Sequence, residues 1–130
     1  MITSFYAAAA ALGLILLSLR VIRLRRRHRI SIGHQGSDEM ERAIRVHGNF
    51  VEYTPFFLIL LALSEMQGLP VAALHGAGAG FLLARLSHFF GFRSEAAPGV
   101  FRVLGMALTF AVIGGLGLAL PLLATGLLPA

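Results

Sequence analysis

From Ile2 to Leu19 this chain is almost wholly apolar, and it then runs directly into Arg20-Val-Ile-Arg-Leu-Arg-Arg-Arg-His-Arg. An apolar run of that length approaches the about 20 residues a helix needs to cross a bilayer. The basic residues follow the apolar core, the reverse of the order in a secretory leader. The run is therefore read as a retained first span with its N-terminus outside. Positive charge abutting a span marks the cytoplasmic side, and long arginine side chains reach from the span's end to the headgroups. Six of the eleven arginines fall between Arg20 and Arg29. That clustering accounts for most of the net charge of +5 without a nucleic-acid partner.

Charged residues make up 13% of the chain, against about 25% in soluble domains, so the membrane reading extends to the whole length. Cysteine is absent, which excludes disulfides, thiolate metal sites and a cysteine nucleophile. The five histidines show no metal-ligand spacing, and every basic residue other than histidine is arginine, a composition suited to a GC-rich bacterial genome. Ile30 to Ser37, with Gly33 and Gly36, reads as a loop. Asp38 with Glu41 resembles a capping box opening a second helix, which runs through Leu63 and frays near Glu65. Pro55 predicts a kink inside it. Gly68 to Pro70 reads as a tight turn, and Val71 to Phe92 as a third span with a small-residue face at Gly76, Gly78 and Gly80. A second loop spans Gly91 to Gly99. A fourth helix follows from near Val100 to about Leu120, with Pro121 its end or a kink, and residues 124–130 form an apolar tail outside. The expected fold class is all-α: one integral membrane four-helix bundle over residues 1–130, both termini outside and both arginine-bearing loops cytoplasmic.

Polar residues interrupt this pattern in one register. At about 100° per residue, Arg45, Asn49 and Glu52 lie within roughly 60° of one another on the second helix. Arg42 and Tyr53 flank that stripe, while His47 and Thr54 point the opposite way. Charges inside a bilayer cost about 2.5–3.5 kcal/mol each even on permissive scales and so face a partner or a cavity. Arg85, His88 and Phe92 form a second stripe on the third span, and Arg102 opens the fourth helix with Met106 and Thr109 on its face. His75 shows no polar companion and reads as a packing or interhelical hydrogen-bonding residue. Arg23, Arg45, Asn49, Glu52, Arg85, His88 and Arg102 all fall in the cytoplasmic half, as a shared pocket requires. The competing reading is an Arg45–Glu52 structural ion pair between helices.

The stretch from Glu41 to Pro55, Glu-Arg-x-x-Arg-x-His-x-Asn-x-x-Glu-Tyr-x-Pro, resembles the second-helix signature of the MAPEG superfamily. These are membrane-associated proteins of eicosanoid and glutathione metabolism, including microsomal glutathione transferases. Hydropathy and loop pattern agree over nearly the whole chain. The wording Ala-Ile-Arg-x-His-Gly-Asn-x-Val-Glu-Tyr is most similar to that of small bacterial members, which implies an inner-membrane location. The resemblance implies a homotrimer that holds glutathione between subunits near the cytoplasmic face. There the thiolate attacks a small lipophilic electrophile arriving through the membrane lipids, as transferase or peroxidase chemistry. It implies glutathione contacts at Arg23, Arg45, Asn49, Glu52, Tyr53, Arg85 and His88, and a thiolate-stabilising role for Arg102. The residue types suit that ligand: arginines for its two carboxylates, Glu52 for its ammonium, and Asn49 for a peptide group. Phe92 and Met106 stand where several family enzymes carry tyrosine. Those departures keep a second reading open, a non-catalytic lipid-binding or scaffold member of the superfamily. A small four-helix exporter would place a carboxylate near the middle of the first span, and none is there.

Overall fold

The computed structural model describes residues 1–128; residues 129 and 130, the end of the apolar tail, fall outside the described residues. Four helices make up all the regular structure among these: α1 (Thr3–His28), α2 (Asp38–Met66), α3 (Val71–Phe90) and α4 (Gly99–Ala124). The fold is all-α. Helices α1, α2 and α4 are long and apolar enough to cross a membrane. α3, of 20 residues, reaches about 30 Å at 1.5 Å per residue, a spanning length, but His75, Arg85 and His88 dilute its hydropathy. α1 has 26 residues and extends about 39 Å, beyond the ~30 Å hydrocarbon layer. Its last turn, Arg25 to His28, therefore belongs among headgroups.

The helix ends follow from local chemistry. Arg29 closes α1 in the left-handed region, φ 54°, and the Ile30 N–H bonds the Arg25 carbonyl at 3.0 Å. Arg25 in turn donates to the carbonyls of Ser31 and Gly33 at 3.2 and 3.3 Å, which folds the loop back on the helix. The cap of α2 is Ser37 and not Asp38: its hydroxyl accepts from the Met40 N–H at 3.3 Å. Asp38, Glu39 and Glu41 then occupy the first turn, where the helix dipole favours negative charge. α2 continues past Leu63 to Met66, and Gly68 makes the turn with φ 83°. α3 stops at Phe90, short of the expected Phe92. α4 runs through Pro121 to Ala124; the proline removes one N–H, and the Thr125 N–H and hydroxyl close the last turn on its carbonyl at 3.1 and 2.8 Å.

The helices run alternately up and down. α3 packs most extensively on α4 and α1 on α2; α2 also touches α3 and α4, while α1 and α4 do not meet. At one end His28 meets Glu39 at 3.2 Å and Arg42 meets Glu95 at 3.7 Å, so both arginine-bearing loops share that end. At the other end the Glu65 carboxylate accepts from the Ile2 N–H, from the Thr3 N–H at 2.9 Å and from the Thr3 hydroxyl at 2.6 Å. A side chain of α2 thus satisfies donors that the start of α1 leaves open. Beside it the Tyr6 hydroxyl lies 2.9 Å from His75 Nδ1. That is the polar companion of His75 that the sequence alone does not reveal.

Two apolar clusters hold the bundle. Phe57, Leu61, Leu74, Phe81 and Leu116 fill the half towards Glu65, with the Phe57 and Phe81 rings stacked 3.9 Å apart at 3°. Leu24, Ile30, Met40 and Ala43 fill the arginine-rich end. In lipid such contacts gain from close packing more than from expulsion of water. The small-residue face of α3 divides: Gly78 receives the Tyr6 ring and Gly80 faces Val112, while Gly76 has nothing near it. At Gly105 of α4 the backbones of α3 and α4 come close, and a Cβ there would lie 2.7 Å from the His88 nitrogen and 2.8 Å from the Ala84 carbonyl oxygen.

Candidate functional site

Between the two apolar clusters lies a polar layer centred on Arg85. Its side chain is buried, with 7% of its surface exposed. Nη1 donates to Asn49 Oδ1 at 2.6 Å, and Nη2 donates to the Thr109 hydroxyl. The Thr109 hydroxyl donates to the Gly105 carbonyl at 2.7 Å, an i−4 bond within α4. Met106 joins the layer, its sulfur 3.5 Å from Asn49 Nδ2 and 3.9 Å from Arg85 Nη2. The guanidinium also stands 5.6 Å from the Tyr53 ring centroid and 5.4 Å from that of Phe81, both cation–π distances. Arg85 Nε is buried without a hydrogen-bond partner.

All these contacts are neutral. The ion pairs among the described residues are His28–Glu39, Arg42–Glu95 and Arg45–Glu41, and none includes Arg85. A buried cation without a counter-ion is costly, and a ligand carrying negative charge would relieve that cost.

One turn nearer the arginine-rich end, buried His88 packs against the Phe92 ring at 5.1 Å. Phe92 in turn carries the Arg102 guanidinium at 5.0 Å from its centroid. His88, Phe92, Arg102 and Met106 line one open cleft, and Arg42, Arg45 and Phe92 line another. Phe92 is thus the hinge between both clefts.

The structure brings Asn49, Tyr53 and Arg85 into contact around one guanidinium, with His88 and Arg102 beside Phe92 just below. Arg45 is exposed along the same face of α2. Its carboxylate is Glu41, 4.0 Å away, and no Arg45–Glu52 ion pair forms within one chain. The reason is axial: Glu41 is one turn distant, whereas Glu52 is about 10.5 Å along the helix. Glu52 and Arg23 are exposed on α2 and α1 and do not join the cluster within one chain. Thr109 is the site residue the sequence reading leaves out. Its signal is present, since Arg102, Met106 and Thr109 recur at helical spacing on α4.

The MAPEG family model matches residues 3–121 of the chain. The inner membrane protein YecN of Escherichia coli strain K12 is 40% identical over 92 residues, which cover 71% of this chain and 70% of YecN. YecN of Escherichia coli O6:H1 matches to the same extent. The spanning helices, the relative's inner-membrane description and the family match agree on an integral membrane protein, and this chain belongs to the MAPEG family.

Proposed function

We propose that this chain is a membrane-embedded glutathione-binding protein that catalyses transferase or peroxidase chemistry on lipophilic electrophiles. The observation that carries this reading is the buried Arg85 guanidinium, held by Asn49 and Thr109 and lacking any carboxylate partner. Such a cation is pre-ordered for an anionic group, and glutathione brings two carboxylates and a thiol. Asn49, already oriented by Arg85, has amide capacity for a peptide group. His88 lines a cavity with Arg85, the Tyr53 ring lies 5.6 Å from its guanidinium carbon, and Arg45 lines the neighbouring cleft at Phe92. Arg23 and Glu52, exposed in one chain, complete the site across a subunit boundary, in keeping with the homotrimer that the family resemblance implies. Glu52 then meets the ammonium and Arg23 a carboxylate. The arginine-bearing end faces the cytoplasm, where glutathione is available.

Glutathione supplies the sulfur nucleophile. A thiol of pKa ~8.5 is only about 3% thiolate at pH 7. A neighbouring arginine lowers such a pKa by ~1–3 units, and a two-unit drop raises the reactive form to roughly three quarters. Arg102, exposed in the cleft with His88 and Met106, is the residue assigned that role. Phe92 and Met106 offer no hydroxyl to assist, so the expected activity is weak. That same departure favours the second reading, a non-catalytic lipid-binding or scaffold member. Calorimetric titration of the detergent-purified protein with glutathione tests binding, and the thiolate's ultraviolet absorbance near neutral pH tests activation. Absence of binding heat overturns the proposal; binding without a thiolate signal selects the non-catalytic reading.

A further inference from the structure

A cavity of about 320 Å³ lies between α1, α2 and α3. Its α1 wall runs from Ala9 to Leu17, about 12 Å at 1.5 Å per residue. One leaflet of the bilayer offers ~15 Å of hydrocarbon. Phe50 of α2 with Leu82 and Phe89 of α3 make the other walls, and Arg85 and His88 are the polar residues that line it. This is a largely apolar slot on the side of the bundle away from α4.

The mouth of the slot is cationic. Arg20 follows Leu16 and Leu17 at i+4 and i+3, on the same face of α1, and its guanidinium carbon lies 5.3 Å from the centroid of Phe89. Arg20 Nη1 is buried with no hydrogen-bond partner among the described residues, and so is Nε of the nine-tenths-buried Arg85. Arg20 takes part in none of the ion pairs. Two guanidinium N–H groups withdrawn from water without an acceptor are each costly to leave unpaired. An anion at the mouth satisfies the first of them, and Arg23 and Arg25 to Arg27 set that mouth at headgroup level.

We propose that this groove binds one acyl chain of an anionic phospholipid from the leaflet on the arginine-rich side, with the phosphate held by Arg20. The remaining chain of the lipid stays in the bilayer, against the exposed apolar face of α1 formed by Leu12, Ile15 and Leu19. The groove borders the Arg85–Asn49–Thr109 layer through Arg85 and His88, but its anion is held at Arg20, outside that layer, so the proposal stands whether or not glutathione binds there.

The test is native mass spectrometry of the purified protein after exchange into equal amounts of phosphatidylglycerol and phosphatidylcholine. One phosphatidylglycerol per chain should be retained, with about fivefold preference over phosphatidylcholine, the contribution of one arginine at an anionic surface. Arg20→Gln should abolish the preference and Arg20→Lys should keep it, which separates charge from folding. Ala9→Leu, which fills the slot, should lower retention of both lipids. Glutathione titration of Arg20→Gln should match the parent protein, so failure of one proposal is distinguishable from failure of the other. Equal retention of the two lipids by parent and Arg20→Gln overturns the proposal. So does displacement of phosphatidylglycerol by equimolar oleate, which would make the groove a fatty-acid site. Absence of retained lipid together with disulfide capture of Leu86→Cys by a second copy would make it a subunit contact, and that too overturns it.

Discussion

The guanidinium of Arg85 on α3 bonds the side-chain amide oxygen of Asn49 on α2 at 2.6 Å, and this one bond joins the two polar stripes of the chain. Its geometry leaves the Asn49 nitrogen only a weak acceptor, the Met106 sulfur at 3.5 Å. The amide therefore retains donor capacity towards the cleft.

Asn49→Leu removes one acceptor from a buried guanidinium that has no carboxylate. Hydrogen bonds to charged groups are worth ~1.5–3 kcal/mol, so the melting temperature in detergent should fall and glutathione affinity should fall with it. Thr109→Val should lower stability similarly while reducing affinity less, because the hydroxyl already donates within α4. Scanning fluorimetry with and without glutathione reads both effects. Equal affinity in Asn49→Leu and the parent protein would remove Asn49 from the binding site.

Gly105→Ala should destabilise the bundle by about 1–3 kcal/mol, because the added Cβ would meet backbone atoms of His88 and Ala84, which cannot swing aside. Gly114→Ala, with nothing within 4 Å, should be neutral or stabilising by up to ~1 kcal/mol through helix propensity. Thermal melting of the pair separates close packing from propensity.

Single cysteines report orientation without background, since the chain has none. An impermeant thiol reagent added to intact spheroplasts should label Gln67→Cys, in the exposed turn after α2, and spare Ser31→Cys, in the exposed loop after α1. Thr3, at the same end, is buried and bonded to Glu65 and is left unsubstituted. The opposite labelling pattern would invert the topology.

Arg102→Leu should abolish conjugation of a reactive aryl halide while glutathione stays bound. Phe92→Tyr should raise the rate by about ten- to a hundredfold, the worth of one hydrogen bond to a charged group. With the parent protein, thiolate absorbance should persist as pH falls towards 7; in Arg102→Leu it should be lost near the thiol's ordinary pKa of ~8.5. If glutathione binds without a thiolate signal and Arg102→Leu changes nothing, the protein binds and does not catalyse.

The linear chain already carried the four helices, the shared end of the arginine-bearing loops and the family, because hydropathy and charge are properties of runs of residues that a bilayer sorts one segment at a time. It also carried the helix faces: Arg45, Asn49 and Glu52 keep their 100° register whatever they pack against. Which residues meet across helices depended on rotation and depth, and these are set by close approach at small residues and by stacked rings. The Gly105 contact with α3 and the Phe57–Phe81 stack fix how α2, α3 and α4 are turned. Only then does Arg85 reach Asn49 and Thr109, while Glu52, on the same stripe, is left outside the cluster. The caps moved for the same reason at smaller scale. Ser37 and not Asp38 takes the Met40 N–H, and Glu65, distant in sequence, takes the donors of Thr3. Hydrogen-bond partners are chosen by distance in space, which periodicity along one helix does not encode.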